Sequence, residues 1–92
     1  MPKRWVRQLG DGLVYQGACL VYNINLFLND AGDWVDIYDG LDTESGKFFQ
    51  RLESAVVLNV PFRCSVGVPF ATGIYLDTPD ADVSVVVVFE PL

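Results

Sequence analysis

The chain has 92 residues, with six basic side chains, twelve acidic ones and no histidine, for a net charge of −6. That length allows one domain, and the missing histidine excludes Ser-His-Asp and Cys-His catalytic sets and, with only two cysteines, a structural zinc site. Ala, Val, Ile, Leu, Met, Phe, Trp, Cys and Gly fill 51 of the 92 positions and only 20% are charged, against roughly 45–50% and about 25% in ordinary soluble domains.

A small domain has more surface per volume and should be the more polar one. The apolar surplus therefore points to surface meant for a partner. No apolar run approaches the ~20 residues that cross a bilayer. The start, Met1 to Arg7, is basic but lacks the apolar stretch of a secretory signal, so the chain is expected to be assembled where it is made. Its first seven residues hold Lys3, Arg4 and Arg7, while all twelve acidic residues lie beyond them. An acidic body argues against nucleic acid and membrane as partners. Residues 1–12 read as a basic N-terminal arm. Its Lys3, Arg4, Trp5 and Arg7 would dock on an acidic neighbour, with Trp5 as apolar anchor. Residues 13–92 read as a single β-sandwich domain.

Fourteen valines and no sustained 3.6-residue period predict an all-β fold. Turn signals every 8–12 residues favour an antiparallel sandwich of about eight short strands. Leu13 to Tyr15 is the first. Ala18 to Leu28 follows, with Leu20, Tyr22, Ile24, Leu26 and Leu28 on one apolar face and Cys19 on a mixed one. After the turn 29–33 comes Trp34 to Asp39, closed by the hairpin dipeptide Asp39-Gly40. If its Val35 and Ile37 face the core, Trp34 and Tyr38 face outward. Phe48 to Leu52 is short. Ser54 to Phe62 and Arg63 to Val68 continue one parity through Val56, Leu58, Val60, Phe62, Cys64, Val66 and Val68. Pro61 marks that region as an edge strand or a strand end. Gly73 to Asp77 precedes the last strand, Val83 to Phe89.

That last strand is apolar on both faces: Val83, Val85, Val87 and Phe89 on one, Val86 and Val88 on the other. A sandwich strand normally wets one face. Val86 and Val88, with outward Trp34 and Tyr38, are therefore expected at a homo-oligomer interface, in a dimer or trimer. Cys64 reads as buried filler, and both cysteines as free thiols. Aspartates at 30, 33, 36, 39 and 42 lack calcium-loop spacing and read as turn formers; no metal or cofactor is expected. Trp34 and Tyr38 could alternatively serve a carbohydrate- or receptor-binding module.

The segments Gly17-Ala18-Cys19-Leu20-Val21, Val35 to Gly40, Val60-Pro61-Phe62, Gly73 to Asp77 and Val85 to Pro91 together resemble small tailed-bacteriophage virion structural proteins. The resemblance covers nearly the whole chain. It implies a jelly-roll β-sandwich and a non-enzymatic capsid decoration or cement role at the virion surface. The implied partner is the major capsid protein or another virion subunit, with assembly in the host cytoplasm. A tail, neck or fibre location is the alternative. A shorter stretch, Ile37 to Gly40 with Ser45 to Phe48, is similar to the core of CUB domains, which are longer and disulfide-bonded.

Overall fold

The computed structural model describes residues 3–28, 30–56 and 59–92. Eight strands form: β1 (Arg4–Leu9), β2 (Gly12–Gln16), β3 (Cys19–Phe27), β4 (Trp34–Asp39), β5 (Lys47–Glu53), β6 (Asn59–Phe70), β7 (Gly73–Asp77) and β8 (Ser84–Pro91). They make two four-stranded antiparallel sheets in a sandwich-like arrangement. Sheet I has the order β1-β8-β3-β6 and sheet II the order β2-β7-β4-β5. Among the expected features, Met1, Pro2, the turn residue Asn29 and core candidate Leu58 lie outside the described residues.

The period-2 alternation of β8 places Val85, Val87 and Phe89 in the core, and that of β4 places Val35 and Ile37 there, as expected. They meet Val21, Ile24 and Leu26 of β3, Ile74 and Leu76 of β7, and Leu52 of β5. Aromatic contacts close the sides. Phe49 of β5 meets Phe62 and Phe70 of β6, each with centroids 5.3 Å apart, and Tyr15 of β2 meets Phe89 of β8 at 5.0 Å. Such pairs add roughly 0.5–1.5 kcal/mol each beyond burial.

Three expectations need correction. Residues 4–9, read as arm, are a strand: β1 pairs with β8 from Arg4↔Phe89 to Leu9↔Ser84. Only Val6 on it packs against the core, so its apolar signal is too thin to read as a strand. The segments 54–62 and 63–68 are not two strands. From Asn59 onward they are one long edge strand, β6, and Val56 lies outside it and exposed. Pro61 and Pro69 fit there because an edge strand needs no second row of donors.

The parity of β3 is the third. Cys19 and Val21 face the core, then Ile24 and Leu26 do, while Leu20 and Tyr22 do not. The register slips between Val21 and Asn23 against both neighbours. This bulge inserts one residue and flips the alternation. Opposite it, Val21 pairs with Val68 but Asn23 with Arg63, so residues 64–67 loop out of the ladder. That excursion leaves Val66 79% exposed and Cys64 half-buried, which corrects the reading of Cys64 as buried filler. It returns through Gly67 at φ +83°, where a Cβ would lie 3.0 Å from Leu20 Cβ.

Candidate docking faces

With the inner faces spent on the core, the outer faces carry whatever is left for partners. On sheet I the ladder sets Trp5 opposite Val88 and Arg7 opposite Val86. On the other flank of β8, Asn23 and Asn25 stand opposite the same two valines. Val86 and Val88 are half-buried beneath these neighbours, while Trp5 projects with 70% of its surface exposed. The two patches picked separately in the sequence, the basic anchor and the valine face, are thus one surface. Arg4 is the exception. It pairs with the core residue Phe89 and lies on the inner-facing rim, so it does not belong to this face.

Cations frame the patch. The Lys3 ammonium sits 4.0 Å from the centre of the Tyr22 ring, and the Arg7 guanidinium 5.5 Å from that of Phe27. Tyr22 donates a 3.0 Å hydrogen bond to Glu90, which pushes its own pKa up. Lys3, Tyr22, Asn23, Arg63, Cys64, Ser65 and Val88 line an open groove of about 390 Å³, opened by the β3 bulge and the 64–67 excursion. Nearby, Asn25 Oδ1 and Ser84 Oγ are buried without a hydrogen-bond partner among the described residues.

Sheet II presents the opposite character. Leu13, Tyr75, Tyr38 and Phe48 stand in register across its four strands, β2, β7, β4 and β5. Tyr38 and Phe48 meet edge to face at 5.7 Å. A second row runs Asp77, Asp36, Arg51. Arg51 donates to both Asp36 oxygens, at 2.6 and 2.9 Å, and lies 4.2 Å over the Trp34 ring. The fork holds Arg51 fixed. Trp34 and Tyr38 therefore point outward as expected, but on the face opposite Val86 and Val88, and the guanidinium covers one side of Trp34.

Charge follows the sheets. Lys3 and the strands of sheet I hold Arg4, Arg7 and Arg63 against one acid, Glu90, leaving eleven of the twelve acids elsewhere. On sheet II, Asp77 has its carboxyl pKa raised by burial first, then by Asp11 and Asp36. At one end of the sandwich, Asp30, Asp33 and Asp80 bring carboxylate oxygens within 4.8 Å of one another. Asp33 also accepts from the Asp30 backbone N–H, the turn role its spacing implied. Chain position alone had not linked Asp80 to the other two.

Both cysteines are free thiols, as expected. Cys19 is buried in the core and its thiol is pushed up to about 11, by burial first and Asp39 second. That placement corrects the mixed-face reading and follows from the bulge.

No protein-family model matches this chain, and no curated protein or solved structure matches it.

Proposed function

We propose that this chain is a non-enzymatic virion structural protein, a capsid decoration or cement subunit that docks through the outer face of sheet I onto the major capsid protein. The observation that carries this is the joining of Trp5, Arg7, Val86 and Val88 into one cation-framed apolar surface. Trp and Arg are the side chains most enriched at interface hot spots. The strand pairing adds support. β1 pairs β8, β2 pairs β7, β3 pairs β6 and β4 pairs β5, as in one long hairpin rolled into a jelly roll. Jelly rolls recur in viral capsid and lectin domains, an analogy that raises the prior without defining the site. Docked on a symmetric shell, several such contacts would multiply weak individual affinities and bridge neighbouring capsid subunits.

The test is co-pelleting of the purified chain with empty shells. Wild type should pellet, and the doubly substituted Trp5→Ala/Arg7→Gln variant should stay in the supernatant. If instead only tail, neck or fibre assemblies capture the wild type, the location within the virion changes while the docking face stands.

A second reading, a carbohydrate-binding module, draws on the Tyr75, Tyr38 and Phe48 row beside Asp36 and Asp77. Against it, Tyr38 and Phe48 meet edge on, and Arg51 occupies a face of Trp34. Titration calorimetry with oligosaccharides distinguishes the two: heat of binding that disappears in Tyr38→Ala would favour the module.

A further inference from the structure

The two outer faces are complementary to each other. Sheet I offers Lys3, Arg7 and Arg63 against Glu90 around Trp5, Val86 and Val88. Sheet II offers Asp77 and Glu53 around the Tyr75, Tyr38 and Phe48 row, while Asp36 is buried and held by Arg51. Pairing two like faces would set cation against cation, or carboxylate against carboxylate, which costs free energy. Pairing unlike faces sets Arg7 and Arg63 against carboxylates and aromatic against aliphatic surface. The area is adequate. The molecule measures 35 × 28 × 17 Å, a slab whose thin direction is that of two stacked sheets. A 35 × 28 Å face is of the order of the ~800 Å² each partner buries in a standard interface.

We propose that the outer face of sheet I docks on the outer face of sheet II of a second copy, a head-to-tail contact between unlike faces. This rests on the reading of the chain as a contact protein and is independent of which virion part it joins. The faces lie on opposite sides of the slab, so the contact does not close after two copies. Repetition produces an open stack in which one sheet I face stays free at one end to meet the shell. The Asp77 carboxyl, crowded by Asp11 and Asp36, gains a cation in such a contact.

The experiment uses two full-length variants whose changes fall on exposed positions. Trp5→Gln/Arg7→Gln disables the sheet I face, and Phe48→Gln/Glu53→Gln disables the sheet II face. Wild type should show a light-scattering mass that grows with concentration above 10.2 kDa, and the growth should weaken about tenfold or more between roughly 20 mM and 500 mM salt. Each variant alone should stay at the single-chain mass. Their equimolar mixture should form a complex of two chains and no larger, because each supplies the face the other lacks. The inference is overturned if wild type stays monomeric to about 1 mM, if either variant alone still self-associates, or if the mixture stays monomeric while wild type does not. Thermal melts matching wild type show that the variants are folded. A monomeric wild type that still pellets with shells would sink the head-to-tail contact and leave the docking reading intact.

Discussion

Trp5 of the first strand stands directly across the ladder from Val88 of the last, both on the outer side of sheet I. The chain's two ends thereby build one surface. Trp5 contributes little to folding because most of it is in water. Trp5→Ala should change stability by no more than ~0.5 kcal/mol, as surface substitutions do, yet weaken shell attachment at least tenfold, as loss of a buried aromatic anchor does. Arg4→Gln, on the inner-facing rim, should leave attachment unchanged. Chemical denaturation and a binding isotherm on the same preparations check both statements.

Asp39 ties the end of β4 to the turn between β6 and β7. It accepts from the backbone N–H groups of Ala71 and Thr72 at 2.9 Å each, and of Gly73 at 3.3 Å. Burial pulls its pKa up, but these donors and Lys47 outweigh it, and the net shift is downward. A depressed carboxylate stabilises the fold above its unfolded value, near 3.9, and that contribution is lost as pH falls through the lower folded value. Asp39→Ala should cost on the order of 2 kcal/mol at pH 7, because hydrogen bonds to a charged acceptor are lost. The cost should shrink in acid, as read by urea unfolding at pH 7 and pH 2.5.

Asp77 runs the other way. Its raised pKa means the folded state holds the proton more firmly than the unfolded chain. Its contribution is therefore favourable below the unfolded value and is lost as pH rises through the folded one. At pH 7 the ionised carboxylate is a burden. Asp77→Asn should stabilise the isolated protein at neutral pH by on the order of 0.5 kcal/mol, the scale of a solvent-screened pair, and the gain should vanish near pH 3. Melting curves at the two pH values check the sign. A destabilised variant at pH 7 would contradict it.

The thiols should separate by reactivity. Cys19 is buried with its pKa pushed up to about 11, whereas Cys64 lines the open groove beside Lys3 and Arg63. Since the thiolate is the reacting form, a disulfide reagent should titrate one thiol per native chain quickly and the second only in denaturant. Two fast thiols in the native protein would mean Cys19 is not in the core.

Much of this architecture was legible because β4 and β8 alternate cleanly. Val35 and Ile37 turn in, Trp34 and Tyr38 turn out, and β8 is apolar on both sides. The edge character of β6 was legible from Pro61. What stayed hidden depends on pairing rather than pattern. The bulge at Tyr22 reverses the parity of β3 against both its neighbours, and residues 64–67 leave the β6 ladder opposite it. Gly67, with its positive φ, was the available clue, and Gly67→Ala there should be strained. Strand β1 was hidden because an edge strand with one inward apolar residue looks like a polar tail. The outer-face residues Trp5, Arg7, Val86 and Val88 were each visible singly. Their adjacency is a matter of register, which composition does not encode. Arg51 over Trp34 was hidden for the same reason.

The most direct test of the account is hydroxyl-radical footprinting of the chain free and bound to empty shells, read residue by residue by mass spectrometry. Trp5 is 70% exposed in the single chain and Phe48, on the opposite face, 54%, so at concentrations low enough to keep the chain monomeric both report strongly before binding. The account predicts that Trp5 becomes protected on the shell. A Trp5 oxidised as fast on the shell as in solution would contradict it.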